Sequence, residues 1–369
     1  MSQQYDVVDA DGHILEPPNL WEEYIDPKYR DTCPKLIVRD DGTEVFRIED
    51  HELDLGMTFG LLGSIGSREG ENSMTISYLD GRPGGFNPHP RIKDMDREGI
   101  DAAVLYPSLG LFAGTVKDID TAAAGCRAYN RWLADYCRAY PERLFGAAMI
   151  PLQSVDHAIE ELKFAVHELG YRAIFLRPNP YDGRPLHHLD HDRLWAVAQD
   201  LDVAVGIHEG MSSGQPDLGV DRFDTFASRH CVSHTLEIMA AAASIIMCGV
   251  ADRFPRLRFG FLEASGGWMA GWIDRMDRHY TDKGMNDSGL TMLPSDIFRR
   301  QCFIAFEPVE GALPILADYL GPDNILWATD YPHVDGFWNA PKLIRDMGMP
   351  EKTLASVLGG GARRFYQLQ

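Results

Sequence analysis

Residues 90–107 read PRIKDMDREGIDAAVLYP, the first stretch of the chain with a regular pattern. Arg91 to Glu98 reads as a short helix closed by Gly99, and Ile100 to Tyr106 as a buried strand stopped by Pro107. The same unit recurs downstream. Helical spacing over Thr121 to Tyr140 (Ala124, Ala128, Trp132, Leu133, Tyr136) precedes a strand at Leu144 to Ile150. Val155 to Leu169, closed by Gly170, precedes Ala173 to Leu176, and Asp190 to Asp200 precedes Val203 to Ile207. An Ala-rich helix from Ile238 to Val250 leads to a strand at Leu257 to Leu262, and Trp268 to His279 leads to Cys302 to Ala305. Gly311 to Leu320 leads to Ile325 to Ala328, and Glu351 to Phe365 supplies a last helix. With Val7 and Val8 at the head of the chain there are eight strands, each followed by helical material, which is the pattern of a parallel (β/α)8 TIM barrel in the α/β class. A doubly wound open sheet competes on alternation alone, but no glycine-rich phosphate loop follows the first strand.

Upstream of Pro90 the pattern breaks down. After Glu16-Pro17-Pro18-Asn19-Leu20-Trp21 the chain is rich in glycine, proline and charge and lacks sustained periodicity. So long a connection is an excursion or lid, and an insertion over residues 18–90 is expected within a single barrel domain spanning 1–369. Inside it, Gly56 to Gly66 is apolar but broken by glycines, which suits a mobile flap, a contact surface or a loop packed on the barrel.

A chain of 369 residues with 45% hydrophobic content can bury a substantial core. Lys and Arg number 35 against 55 Asp and Glu, a net charge of −20, which repels nucleic acid and anionic membrane. An anionic substrate then needs a local cationic site. The six cysteines lack CxxC spacing, so neither a zinc ribbon nor a disulfide scaffold is indicated. Reduced thiols and a polar N-terminus point to a cytoplasmic protein. Ile238 to Val250 is too short and too rich in Ala and Ser to span a bilayer.

Barrel chemistry is placed at the C-terminal ends of strands. The polar residues there are Asp11 and His13 (strand 1), Arg177 (strand 4), His208 (strand 5), Glu263 (strand 6), Glu307 (strand 7) and Asp330 (strand 8). Asp11 and His13 are two apart, so both project from one face of a strand, and Gly12 lets the backbone turn between them. Any one of these residues taken alone reads as a helix cap or a satisfied polar group. A closed barrel sets strands 1 and 8 side by side, so Asp11, His13 and Asp330 come together with His208 across the mouth.

Four motifs carry a resemblance over nearly the whole chain: Asp11-Gly12-His13-Ile14-Leu15-Glu16-Pro17, Ile207-His208-Glu209-Gly210, Phe254 to Glu263, and Trp327-Ala328-Thr329-Asp330-Tyr331-Pro332-His333. In order and spacing they resemble the amidohydrolase superfamily, in the amidohydrolase-2 branch of aminocarboxymuconate-semialdehyde and γ-resorcylate decarboxylases. The resemblance implies one divalent metal held by Asp11, His13, His208 and Asp330. The carboxylate at Asp11, where imidazole is frequent in the superfamily, hardens the site and admits manganese as well as zinc. Strand 6 departs from the family: Glu263-Ala264-Ser265-Gly266-Gly267 stands where the decarboxylases commonly carry a histidine in a His-Gly-Gly turn.

The expected activity is metal-dependent decarboxylation, a C–C lyase reaction on a small aromatic or unsaturated carboxylic acid. Glu263, Asp330 and His234 are the catalytic candidates, and Arg177 and His333 are candidates for holding the substrate carboxylate. Glu263 could instead be a structural partner of Arg177 or His234, and His234 a helix-cap residue. Metal-assisted hydrolysis is the rival, favoured by a carboxylate in place of histidine on strand 6. A third reading is a metal-binding protein without turnover. His187, His188 and His191 are expected to face solvent. A homodimer is expected from the resemblance, with the glycine-rich stretch or Trp268 and Trp272 as the contact.

Overall fold

Each strand of the sheet follows from the pattern above. The computed structural model describes residues 6–53, 58–65, 75–210, 217–284 and 286–368. The strands, in chain order, are β1 (Val8–His13), β2 (Lys35–Val38), β3 (Glu44–Ile48), β4 (His51–Leu53), β5 (Ala102–Tyr106), β6 (Leu144–Met149), β7 (Ala173–Leu176), β8 (Ala204–His208), β9 (Arg258–Leu262), β10 (Cys302–Phe306) and β11 (Ile325–Trp327). Eight of them form one parallel sheet in the order β1-β5-β6-β7-β8-β9-β10-β11. This is the TIM barrel the sequence predicts. Backbone contacts join its last strand to its first: His13 N donates to Tyr331 O at 2.6 Å, and Asp330 N to Asp11 O at 3.3 Å. The buried Asp9 carboxylate adds a side-chain clasp, accepting from Thr329 N at 3.0 Å and from Thr329 Oγ1 at 2.6 Å.

Two of the connecting helices end at the glycines the sequence marks for them. Val155–Leu169 starts on a Ser154 cap and stops at Gly170 with φ 76°, and Pro88–Glu98 stops at Gly99 with φ 70°. One helix is longer than its apolar stretch suggests. Phe226–Ile246 begins twelve residues before Ile238, on a Thr225 side-chain cap, and buries His234, Glu237, Ile238, Ala241, Ala242, Ile245 and Ile246. The continuous run Phe226–Arg253 is long and apolar enough to cross a membrane by length and composition, yet its buried face packs on the barrel.

The excursion between β1 and β5 is better ordered than its sequence. β2, β3 and β4 form an antiparallel sheet. Its Glu44 is buried and accepts from Phe59 N, Tyr78 N and Ser77 Oγ, tying two 3-10 turns to the strand. Phe46 packs with its ring tilted against Trp21, Phe59 and Phe112 at centroid distances of 5.7, 6.3 and 6.1 Å, fastening the excursion to the segment after β5. Within the described part of the glycine-rich stretch, residues 58–65, Phe59–Gly63 packs as a 3-10 turn with Phe59 and Leu62 buried; Gly56, Met57 and Gly66 lie outside the described residues. Trp268 and Trp272 are half-buried, and their indole N–H groups donate to Ala264 O and Met239 O. His191 is buried, in contrast to the solvent position expected of it, and Trp195 packs edge-on to its ring. His187 is half-buried within 3.0 Å of Ser244 Oγ.

Candidate active site

The end of β1 delivers the first two donors. A bulge shifts the register between Asp9 and Gly12, and Asp11 Oδ1 and His13 Nε2 lie 3.8 Å apart. Glycine is required between them: a Cβ on Gly12 would stand 2.4 Å from Arg91 Nη2 and 2.9 Å from Asp9 Oδ2. Arg91 lies across this spot and donates to His13 O at 2.6 Å, which fixes the strand end. From the opposite wall, His208 at the end of β8 brings Nε2 to 3.1 Å from His13 Nε2 and 3.5 Å from Asp11 Oδ2. Glu263, one residue past β9, places Oε2 2.7 Å from His208 Nε2 and 3.6 Å from His13 Nε2. Glu263, Ser265 and Asp330 all have positive φ, at 44°, 56° and 50°, the backbone conformation that L-residues adopt at a cost and that clusters at functional sites.

Proton accounting shows what this cluster lacks. His13 Nδ1 lies 2.9 Å from Pro107 O, and His208 Nδ1 lies 2.6 Å from Glu209 O. A carbonyl only accepts, so each Nδ1 carries its hydrogen and, in the neutral rings, the two Nε2 lone pairs face each other. Both oxygens of Asp11, Glu263 Oε2 and Asp330 Oδ1 are buried without a hydrogen-bond partner. Burial, together with the Glu263 and Asp11 carboxylates, pushes the Asp330 carboxyl well above the usual range. Against the cost of burial, Asp11 and Glu263 raise His208 to about 9. In both shifts the neighbouring carboxylates push in the direction expected of an acidic pocket. Unpaired oxygen and imidazole donors converging in an acidic pocket fit one divalent cation of the zinc or manganese type, with each imidazole oriented by a backbone carbonyl behind it. The donor atoms of Asp11, His13 and His208 all lie within 4.8 Å of one another. Asp330 is beside this group rather than inside it, and Glu263, expected as a catalytic acid or base, stands close enough to both imidazoles to count among the donors.

Above the cluster opens a cavity of about 650 Å³, in the size range of small-molecule sites. Leu61, Leu62, Leu111, Phe112 and Phe226 give it apolar walls, and Glu209, His234, Glu263, His333 and Asp335 its polar floor. The excursion thus contributes wall to the site through Leu61 and Leu62. His234 is no helix cap: it lies inside the helix Phe226–Ile246, with Nε2 3.7 Å from Glu263 Oε1. His230, one turn earlier, packs on it with ring centroids 4.3 Å apart and pairs with Asp335 at 3.4 Å. Burial, with His230 beside it, pushes His234 down to about 3, so the ring is neutral.

Two expectations need correction. Arg177 is not an open fork for a substrate carboxylate. It is fully buried, with Nη2 on Glu209 Oε1 at 2.9 Å, Nε on Asn179 Oδ1 at 3.0 Å and Nη1 on Leu111 O at 2.9 Å. His333 is also engaged. Ser108 Oγ donates to Ile14 O, so His333 Nε2 must donate to Ser108 Oγ at 2.8 Å, and burial pushes its pKa down to about 3. Its ring stacks on His13 at 3.9 Å. Both side chains therefore brace the site. Among the described residues lining the cavity, Arg229 is the only arginine or lysine. Glu307, at the end of β10, accepts from Ser265 Oγ at 3.0 Å and so supports the Glu263 turn.

A family model described as amidohydrolase matches residues 8–368. The chain belongs to the amidohydrolase family. Among curated proteins, this amidohydrolase is 25% identical over 285 residues to a 2-amino-3-carboxymuconate-6-semialdehyde decarboxylase of Dictyostelium discoideum, covering 77% of each chain. It is 26% identical over 311 residues to a γ-resorcylate decarboxylase of a Rhizobium species, covering 75% of this chain and 86% of the relative. A crystal structure of an amidohydrolase from Mycobacterium avium subsp. paratuberculosis has the same fold, with a TM-score of 0.82, 23% identity and coverage of 99% and 100%. A dihydroxybenzoic acid decarboxylase from a Polaromonas species, solved with manganese and an inhibitor, superposes with a TM-score of 0.66 at 16% identity over 100% of this chain and 98% of its own.

Sequence reasoning missed Glu209, Ser108, Arg229, His230 and Asp335. Signals existed for three of them. Glu209 follows His208 in the quoted motif, His230 and His234 stand four apart and so share a helix face, and Asp335 lies two residues past His333. Ser108 and Arg229 carry no such mark.

Proposed function

We propose that this amidohydrolase is a metal-dependent decarboxylase that breaks the C–C bond to the carboxyl group of a small aromatic or unsaturated acid. The observation that carries the reading is the facing pair of imidazole Nε2 atoms, ringed by unpaired carboxylate oxygens, at the floor of an apolar-walled cavity of ring-acid size. The named decarboxylase relatives support it. Asp11, His13 and His208 would hold the cation, with Glu263 and Asp330 the carboxylates beside them; when bound, it supplies a Lewis acid that draws charge from the substrate oxygens. The rest of the chemistry belongs to the chain. Leu61, Leu111 and Phe112 hold the ring and exclude water, and Arg229 at the rim attracts the acid into a pocket that is otherwise negative. As the C–C bond breaks and CO2 leaves, the carbon takes a proton relayed through the His234–Glu263 pair, whose facing atoms are 3.7 Å apart, from His230, whose pKa the Asp335 carboxylate raises against the cost of burial. His230, half-buried against His234 and paired with Asp335, connects that pair to solvent for reprotonation.

A carboxylate at Glu263 can also accept a proton from water, and that observation favours hydrolysis as the second reading. Product analysis separates the two. Release of one CO2 per turnover without solvent ¹⁸O in the organic product supports decarboxylation; ¹⁸O in the product refutes it in favour of hydrolysis. Glu263→Gln should lower kcat by roughly 100-fold or more, the usual contribution of a positioned acid or base.

A further inference from the structure

The turn that carries Glu263 is held by a residue to which the reaction above gives no part. Residues 263–267 leave β9 with Glu263 at φ 44° and Ser265 at φ 56°. Two L-residues in that region persist only where the surroundings over-determine the backbone. Glu310, four residues past the end of β10, supplies the restraint. Its Oε1 accepts from Gly266 N at 2.8 Å and from Glu307 N at 2.9 Å, and its Oε2 from Gly267 N at 3.0 Å. One carboxylate thus pins two consecutive N–H groups of the turn to the loop after β10. The carbonyl side is held as well: Ala264 O accepts from Trp268 Nε1 at 2.9 Å and from Thr235 Oγ1 at 3.3 Å. Gly266 leaves no slack, since a Cβ there would stand 2.3 Å from Phe306 Cδ2.

We propose that Glu310 is a positioning residue that acts through the 263–267 turn: it sets Glu263 Oε2 in place, 2.7 Å from His208 Nε2 and 3.6 Å from His13 Nε2. The proposal rests on the reading of that cluster as a metal centre. A backbone N–H only donates, and bonds from such groups to a carboxylate are among the strong ones, so the turn needs an acceptor at both oxygens of residue 310. Without it the two positive-φ residues relax toward the ordinary region and the Glu263 carboxylate withdraws from the imidazoles. Asp11, His13 and His208 stay where they are, because β1 and β8 deliver them and neither strand belongs to this bracket. The loss therefore falls on one donor of the set.

The test is calorimetric titration of the metal-free full chain with manganese, at a temperature where thermal melts show each variant folded. In Glu310→Gln the amide oxygen can serve Gly266 and Glu307, but the NH2 then faces Gly267 N–H, donor against donor. Its dissociation constant for manganese should rise about tenfold or more, the usual effect of losing a group that orients a metal ligand. Glu310→Asp keeps the charge and draws it back by one methylene; it should weaken binding about threefold or more, and it decides the matter if the glutamine variant does not fold. A double-mutant cycle with Glu263→Ala, which leaves Asp11, His13 and His208 to bind the ion, separates positioning from general support of the fold. In that background the same Glu310 variant should change the constant by less than about twofold. A lower Tm with manganese affinity unchanged in the Glu310 variants overturns the proposal, and so do losses that multiply in the double variant. Absence of manganese binding by the native chain overturns the metal reading along with it, a result distinct from binding that the variants leave intact.

Discussion

Replacing His208 by alanine removes one of the two imidazoles whose Nε2 atoms face each other 3.1 Å apart, and with it the donor nearest to both Asp11 and Glu263. Its effect is best read as the stability that a metal adds. A ligand bound only by the folded state, present at a hundred times its dissociation constant, stabilises by about 2.7 kcal/mol. Unfolding entropy of about 2.1 cal/mol/K per residue comes to about 0.8 kcal/mol/K over 369 residues. Manganese or zinc should therefore raise the Tm of the native chain by about 3 to 4 °C under those conditions. The assay is a thermal melt with metal and with chelator, recording the increment rather than the absolute Tm, since His208→Ala also perturbs the metal-free protein. The expected increment in His208→Ala is close to zero. His188→Ala, at a half-buried histidine paired with Asp190, should keep it in full. A full increment in His208→Ala would refute the assignment of the cluster as the metal centre.

Two further outcomes follow from the same geometry. In the metal-free protein burial raises Asp11 to about 6. A raised carboxyl favours the folded state most below its unfolded value near 4, and that contribution is lost as pH rises through 6, while metal binding needs the ionised form. The metal-induced increment should then be larger at pH 7.5 than at pH 5, and equal increments at the two values would contradict it. Gly206→Ala would drive a Cβ to 2.2 Å from Tyr106 Oη, displacing a ring that hydrogen-bonds Tyr366 and lies against His208 with centroids 5.8 Å apart. Overpacking of this kind costs about 1–3 kcal/mol, so Tm should fall by about 1–4 °C, with weaker metal binding measured by titration.

The barrel was legible because its strands are short buried runs with glycine or proline stops, and Val155–Leu169 and Ala173–Leu176 have the predicted ends. The ligand-type residues at strand ends were legible for the same reason: strand ends point at the barrel mouth. The excursion was not. β2 to β4 are three to five residues each, and they are held by a buried Glu44 and an aromatic cluster that form only in the folded chain. The start of Phe226–Ile246 was hidden because its first turns face a cavity rather than a core and so carry no apolar stripe. Arg177 and His333 were misread because residue type shows what a side chain can bind, whereas its partners, Glu209 and Ser108, are fixed by tertiary contacts across 32 and 225 positions of sequence.

The clasp of Asp9 on Thr329 spans 320 positions. A growing polypeptide therefore exposes its first pair of donors long before the strand that seals the cylinder has been made. Until that late segment docks, the end of β1 lacks its contacts to Thr329, Asp330 and Tyr331, and a product shortened before it would carry the first donors without that support. Catalytic competence in this architecture waits on the strand that seals the cylinder.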